Sequence, residues 1–126
     1  MSFSNYLENK VLGHVFGATP YTAPGTLYVG LYTSDPGEGN TGTEVSGGSY
    51  ARQSVAFTVT GNQASNTAAV EFPTATASWG TVTYAAVFDA VSGGNMMSYG
   101  ALTTSKTIAS GDVLRIPAGD FDINLD

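Results

Sequence analysis

The chain contains no cysteine, which excludes a disulfide scaffold and any thiolate metal site and suits folding and assembly in a reducing cytoplasm. Charge is scarce as well: 11% of residues are charged, against ~25% in an ordinary soluble domain. The basic residues are four, Lys10, Arg52, Lys106 and Arg115, scattered among ten acids for a net charge of −6. Without a Lys/Arg patch to displace counterions from phosphates, nucleic-acid binding is not expected. No apolar run approaches the ~20 residues of a membrane span, so no membrane partner is expected. The N-terminus lacks a basic segment followed by an unbroken apolar stretch, so no secretory signal is read there.

Catalytic vocabulary is missing too. Histidine occurs once, at His14, inside a predicted helix, where a structural or solvated role is the ordinary one. There is no G-x-S-x-G elbow, phosphate loop, dinucleotide fingerprint or H-E-x-x-H motif. No two carboxylates are placed in an apolar cleft, so a hydrolase is not expected, and neither is a cofactor. Asp120, Asp122 and Asp126 share one face of the last strand, and Asp35, Glu38 and Glu44 lie in or near a long loop. Oxygen ligands of this kind suit calcium. The EF-hand spacing is absent, however, and alternating acids more often form the solvent face of a strand and discourage edge-to-edge pairing, so no metal is expected.

What remains is 42% hydrophobic residues set among Thr, Ser, Gly and Asn. With 126 residues the chain is expected to form a single domain over 1–126: a helical arm over 1–17 and a β-sandwich over 26–126. Asn5 and Glu8 have capping-box spacing, and Leu7, Val11, Leu12, Val15 and Phe16 recur every three or four residues. Gly17 is placed to end this helix in a left-handed conformation, with Pro20 beyond it. The helix is expected to lie across a sheet or at a subunit contact.

From Thr26 the period changes to two. Leu27, Val29 and Leu31 alternate with Tyr28, Gly30 and Tyr32. Asp35-Pro36-Gly37 opens a polar loop over 34–49, long enough to be either mobile or held by a partner. Further strands are expected through Val55, Phe57 and Val59 (reaching back toward Tyr50), over 68–72, over 82–88, over 96–103, at Ile108, over 113–116 and through Phe121, Ile123 and Leu125. The 82–88 segment is apolar on both faces, as a central strand would be. Ser92-Gly93-Gly94-Asn95 reads as a hairpin turn. The expected class is therefore mainly β: an antiparallel sandwich or jelly roll of seven or eight strands with one N-terminal α-helix.

Several stretches resemble one family of small virion proteins of tailed bacteriophages, often labelled tail fibre protein. They are Asn5-Tyr6-Leu7-Glu8, the run LYVGLYTSD over 27–35, Tyr50-Ala51-Arg52-Gln53, residues 66–72, Trp79-Gly80, and the ending SGDVLRIPAGDFDINLD from Ser110. The likeness spans nearly the whole chain, and its motifs are structural. It implies a virion component assembled in the host cytoplasm. Small jelly-roll proteins of this kind are also similar to capsid decoration, or cement, proteins, which sit as trimers on the head. A fibre subunit usually needs a repetitive shaft or an attachment segment, and no repeat is present.

The favoured expectation is thus a non-enzymatic decoration protein, homotrimeric and bound to the major capsid protein or other virion proteins. Leu7, Val11, Val15, Glu38, Glu44 and Arg52 are the candidate interface residues. Arg52 is also expected to tie the loop down through Glu38, Glu44 or a strand-end Asp. The alternative is a receptor-binding tail-fibre module that stacks a host glycan or protein on Trp79 and Tyr50.

Overall fold

The computed structural model describes residues 1–125; Asp126, grouped above with Asp120 and Asp122, lies outside them. Within this span the elements are β1 (Ser2–Phe3), α1 (Asn5–Phe16), β2 (Leu27–Tyr32), β3 (Gln53–Val55), β4 (Phe57–Thr60), β5 (Gln63–Asn66), β6 (Val70–Glu71), β7 (Gly80–Phe88), β8 (Met96–Ile108), β9 (Arg115–Ile116) and β10 (Asp122–Asn124). All pairings are antiparallel. The strands form a five-stranded sheet in the order β1-β8-β7-β2-β3, a three-stranded sheet β10-β5-β4 and a two-stranded ladder β6-β9. The fold is mainly β with an N-terminal helix, as its periodicities predict.

β7 is the central strand of the large sheet, and its register with β2 explains why both of its faces are apolar. Val29 stands opposite Val87 and Leu31 opposite Ala85 on one face. These residues join Val70, Phe72, Trp79, Leu114, Ile116 and Phe121 in the main core, so the smaller sheets cover this side. On the other face Tyr28 is opposite Phe88 and Tyr32 opposite Tyr84. Tyr32, Ala86, Phe88 and Met96 form a second buried cluster there.

Four local expectations are corrected. The helix is capped by Ser4 rather than Asn5: its Oγ accepts the Leu7 N–H at 3.1 Å and donates to the Met96 carbonyl. The Ser4 N–H also bonds the Met97 carbonyl at 2.9 Å, so β8 selects the cap. Gly17 has φ −103 and Ala18 carries the positive φ, 54°. The strand expected through Val55, Phe57 and Val59 divides at Ala56, because Val55 pairs with Leu27 in the large sheet and Phe57 with Asn66 in the small one. Ile108 belongs to the continuous β8 rather than to a separate segment.

Two strands carry no periodic signal. β5 reads Gln-Ala-Ser-Asn, a sequence without apolar alternation, and it is a strand because β4 and β10 flank it. β1 is two residues long. Asn66, at the end of β5, is 3% exposed. Its Nδ2 donates to the carbonyls of Ala68 and Pro117, and its Oδ1 accepts the Phe121 N–H at 2.9 Å. One side chain thus meets three backbone groups and joins the C-terminal strand to the turn after β5.

Candidate functional site

The loop over 34–49 begins with an Asx turn, in which Asp35 Oδ1 accepts the Gly37 N–H at 2.8 Å. It then folds back along β2. Thr33 N–H bonds the Thr43 carbonyl at 3.0 Å, Val45 N–H bonds the Leu31 carbonyl at 2.9 Å, and Tyr32 and Glu44 form a β-bridge. Val45 enters the main core at 5% exposure. The Tyr32 hydroxyl donates to Asn40 Oδ1 at 2.5 Å. The segment is therefore held by the chain itself.

Arg52 makes the strongest of these restraints. Its Nε meets Glu44 Oε2 at 2.9 Å and its Nη2 meets Oε1 at 2.8 Å, a bidentate pair. Nη1 donates to the carbonyls of Ala90 and Gly93 at 3.0 and 2.8 Å. The guanidinium carbon sits 3.5 Å from the Phe88 ring centroid. Glu44 Oε2 also accepts from the Tyr50 hydroxyl at 2.6 Å, and that hydroxyl accepts the Leu31 N–H at 2.9 Å.

The electrostatics follow from this packing. Burial pushes the Tyr50 hydroxyl far above its ordinary range, and the hydrogen bond to Glu44 adds to the shift. Burial also raises Tyr32 to about 12, with the charge of Glu44 adding to it. Desolvation works against the Arg52 charge, and Glu44 more than offsets it, so the guanidinium lies above its usual value.

This hub leaves no room for a side chain at residue 30. A Cβ on Gly30 would stand 2.9 Å from Glu44 Oε2 and 3.0 Å from Phe88 Cε2. The Arg52 and Glu44 side chains are 8% and 24% exposed, and they are bonded chiefly to each other. Of the three acids expected as partners for Arg52, the structure uses Glu44.

Trp79 and Tyr50 do not form an open aromatic platform. Trp79 is 4% exposed, and its Nε1 donates to the Gly48 carbonyl at 2.9 Å. Its ring meets Tyr50 and Phe72 edge-on at centroid distances of 5.5 and 6.4 Å, and Tyr50 stacks on Phe72 at 6.1 Å. Stacking on a ligand requires a ring face open to solvent, and these faces are spent on one another. Isolated tryptophans in β proteins face either way, and sequence carries no signal to tell the two apart.

The helix behaves differently along its length. Tyr6 and Leu7 pack against the main core, and Val11 is half-buried. Beyond it Leu12, Val15 and Phe16 are 58%, 61% and 81% exposed. His14 is structural: its Nδ1 accepts the Tyr21 N–H at 3.1 Å, fastening the segment after the helix. Glu38 meets the start of α1, where its carbonyl accepts the Asn5 N–H at 3.0 Å. Its carboxyl, interacting with that of Glu8, pushes Glu8 above the usual carboxylate range. A groove of about 590 Å³ runs between these parts, lined by Val11, Leu12, Tyr99, Leu125 and the two glutamates. The structure thus places Val11 and Glu38 on this groove, Leu7 against the core and Val15 on the open end of the helix, with Glu44 and Arg52 in another region. Leu12 and Phe16, the most open of the helix stripe together with Val15, complete the helix face.

The acids considered for calcium are dispersed. Asp122 Oδ1 accepts from the Ser65 hydroxyl at 2.5 Å, Asp35 closes its own turn, and Glu44 is paired with Arg52. Among the described residues no three His, Cys, Asp or Glu side chains come together as a metal site.

A protein-family model described as "Podophage GP4 fiber I protein gp80" matches residues 2–124 of the chain. No curated protein matches it.

Proposed function

The chain belongs to the podophage GP4 fiber I protein gp80 family, and on that premise we propose that it is a structural subunit of a bacteriophage fibre, joined to its neighbours through the open end of α1. The observation that carries this reading is the trio Leu12, Val15 and Phe16. These residues stand at i, i+3 and i+4 of one helix, each more than half exposed, so they form a single apolar stripe. Lone exposed hydrophobics are ordinary; a stripe of large ones on an anchored helix marks a contact surface. Ser4 pins the helix start to β8 through Met96 and Met97, so the stripe is presented on a fixed support. Low charge, 11% of residues, favours burial of the surrounding surface because few ions would have to shed water. The role is mechanical, with strength arising from repeated modest contacts along an assembly.

Capsid decoration is the second reading, favoured by the absence of any internal repeat in a 126-residue chain. In that case the same stripe would meet the major capsid protein, and the expected unit is a homotrimer. The two readings separate in particles assembled with Val15→Ser/Phe16→Ser protein. The fibre reading expects particles with intact heads that lack the protein on their fibres. Heads that lose resistance to heat and low ionic strength would instead support decoration.

A further inference from the structure

The large sheet is interrupted where β7 meets β8. Val82 is paired with Lys106 and Tyr84 with Ala101, so the single residue Thr83 stands opposite four, residues 102–105. A bulge of that size locally breaks the pairing, which resumes from Val82–Lys106 to Gly80–Ile108, and such irregularities are common beside binding sites. It opens a cleft of about 560 Å³ between β8 and the strands β9 and β10, within the size range of small-molecule sites.

The cleft walls are chemically selective. Lys106 and Arg115 both line it. They are two of only four basic residues in the chain. The other two are engaged elsewhere, Arg52 with Glu44 and Lys10 5.5 Å from the Tyr6 ring centroid. Among the described residues neither Lys106 nor Arg115 makes an ion pair or a side-chain hydrogen bond. Thr103 and Thr104 contribute hydroxyls, Asp120 contributes a carboxylate, and Leu102 and Phe121 give an apolar floor.

From this arrangement we propose that the β8 bulge cleft binds a saccharide carrying an acidic group. The two uncommitted cations would hold the acidic group, which the rest of a chain of net charge −6 would repel. Thr103, Thr104 and Asp120 would exchange hydrogen bonds with ring hydroxyls, and the C–H face of the sugar would lie on the apolar floor. The carboxylates of Asp120 and Asp122 on the same cleft disfavour a bare anion, because it would have no hydroxyls to offer them. The cleft shares only Met1 with the groove beside α1, so this site and the helix contact can fail separately.

The test is an amide-resonance titration of the intact protein with three probes: trigalacturonate, maltotriose and inorganic phosphate. Trigalacturonate is expected to shift Thr103, Thr104, Lys106 and Arg115 at millimolar or lower concentration, at least tenfold more tightly than either other probe. Binding is expected to weaken at least tenfold in Lys106→Gln/Arg115→Gln, whose exposed positions leave the fold intact, and to be unchanged in Phe16→Ser. Equal binding of maltotriose would overturn the role of the acidic group, and equal binding of phosphate would overturn the saccharide. Absence of shifts with trigalacturonate, or shifts located away from the bulge, would overturn the site altogether.

Discussion

The guanidinium of Arg52 lies 3.5 Å from the Phe88 ring centroid while its Nη2 meets Glu44 Oε1 at 2.8 Å. One side chain thereby joins the loop over 34–49, the β7–β8 turn and the outer face of the large sheet. Removing one partner of such a pair leaves the other charge poorly compensated. Arg52→Ala is expected to destabilise the protein by about 2–4 kcal/mol, read by urea unfolding. Arg52→Lys should recover little of this, since an ammonium cannot reproduce the bidentate fork. The double change Arg52→Ala/Glu44→Ala should cost less than the sum of the single changes. Loop amide exchange that stays as slow in Arg52→Ala as in the parent would contradict the tethering role.

Gly30 gives a sharper test of the same hub. A methyl group there must enter space already held by the Glu44 carboxylate and the Phe88 ring. Gly30→Ala is expected to lower stability by about 1–3 kcal/mol, although alanine is ordinarily the better strand residue of the two. A thermal midpoint equal to that of the parent would show that the hub can relax.

The hub also predicts alkaline sensitivity. Tyr32 is raised to about 12 in the folded protein, chiefly by burial, and Tyr50 is raised further, whereas an unfolded tyrosine ionises near ~10. The folded state therefore holds these protons more tightly. Their contribution is complete below pH ~10 and is lost as pH rises toward about 12, because ν is larger in the folded state across that window. Thermal midpoints measured from pH 8 to 12 should fall above ~10. The fall should be shallower in Tyr32→Phe.

Asn66 holds the C-terminal strand. Its amide serves Ala68, Pro117 and Phe121, so Asn66→Leu would orphan the buried Phe121 N–H as well as misfit the space. The expected loss is about 2–4 kcal/mol, with amide exchange at Phe121 accelerating first.

How much of this could be read from residues alone varied with the source of each feature. Val29 and Leu31 announce β2 because alternation reflects one buried face, and the apolar residues of both faces over 82–88 announce β7 as a central strand. The loop and hairpin were legible from Asp35-Pro36-Gly37 and Ser92-Gly93-Gly94-Asn95, whose residues set local backbone geometry. β5 was not, since Gln63, Ala64, Ser65 and Asn66 become a strand through their neighbours rather than their own preferences. Sequence could nominate Glu44 as one partner for Arg52 among three acids, and only the fold could choose it. The burial of Trp79 and the openness of Phe16 were equally out of reach, because both depend on which surfaces other segments cover. The cleft at Lys106 and Arg115 depends on a register shift that leaves no mark in the residue pattern.

The helix stripe separates assembly from folding. Val15→Ser/Phe16→Ser removes exposed apolar side chains that make no core contact, so stability should change by no more than about 0.5 kcal/mol. Incorporation into particles should nevertheless drop sharply when the variant is supplied during infection. Normal incorporation of a folded variant would remove α1 as the contact.

The most direct measurement is electron cryomicroscopy of intact virions with this subunit located in the density. The fibre role predicts density for the fold along the fibres, with Leu12, Val15 and Phe16 buried against a neighbouring chain. Regularly spaced density across the head, or fibre density in which that end of α1 faces solvent, would contradict it.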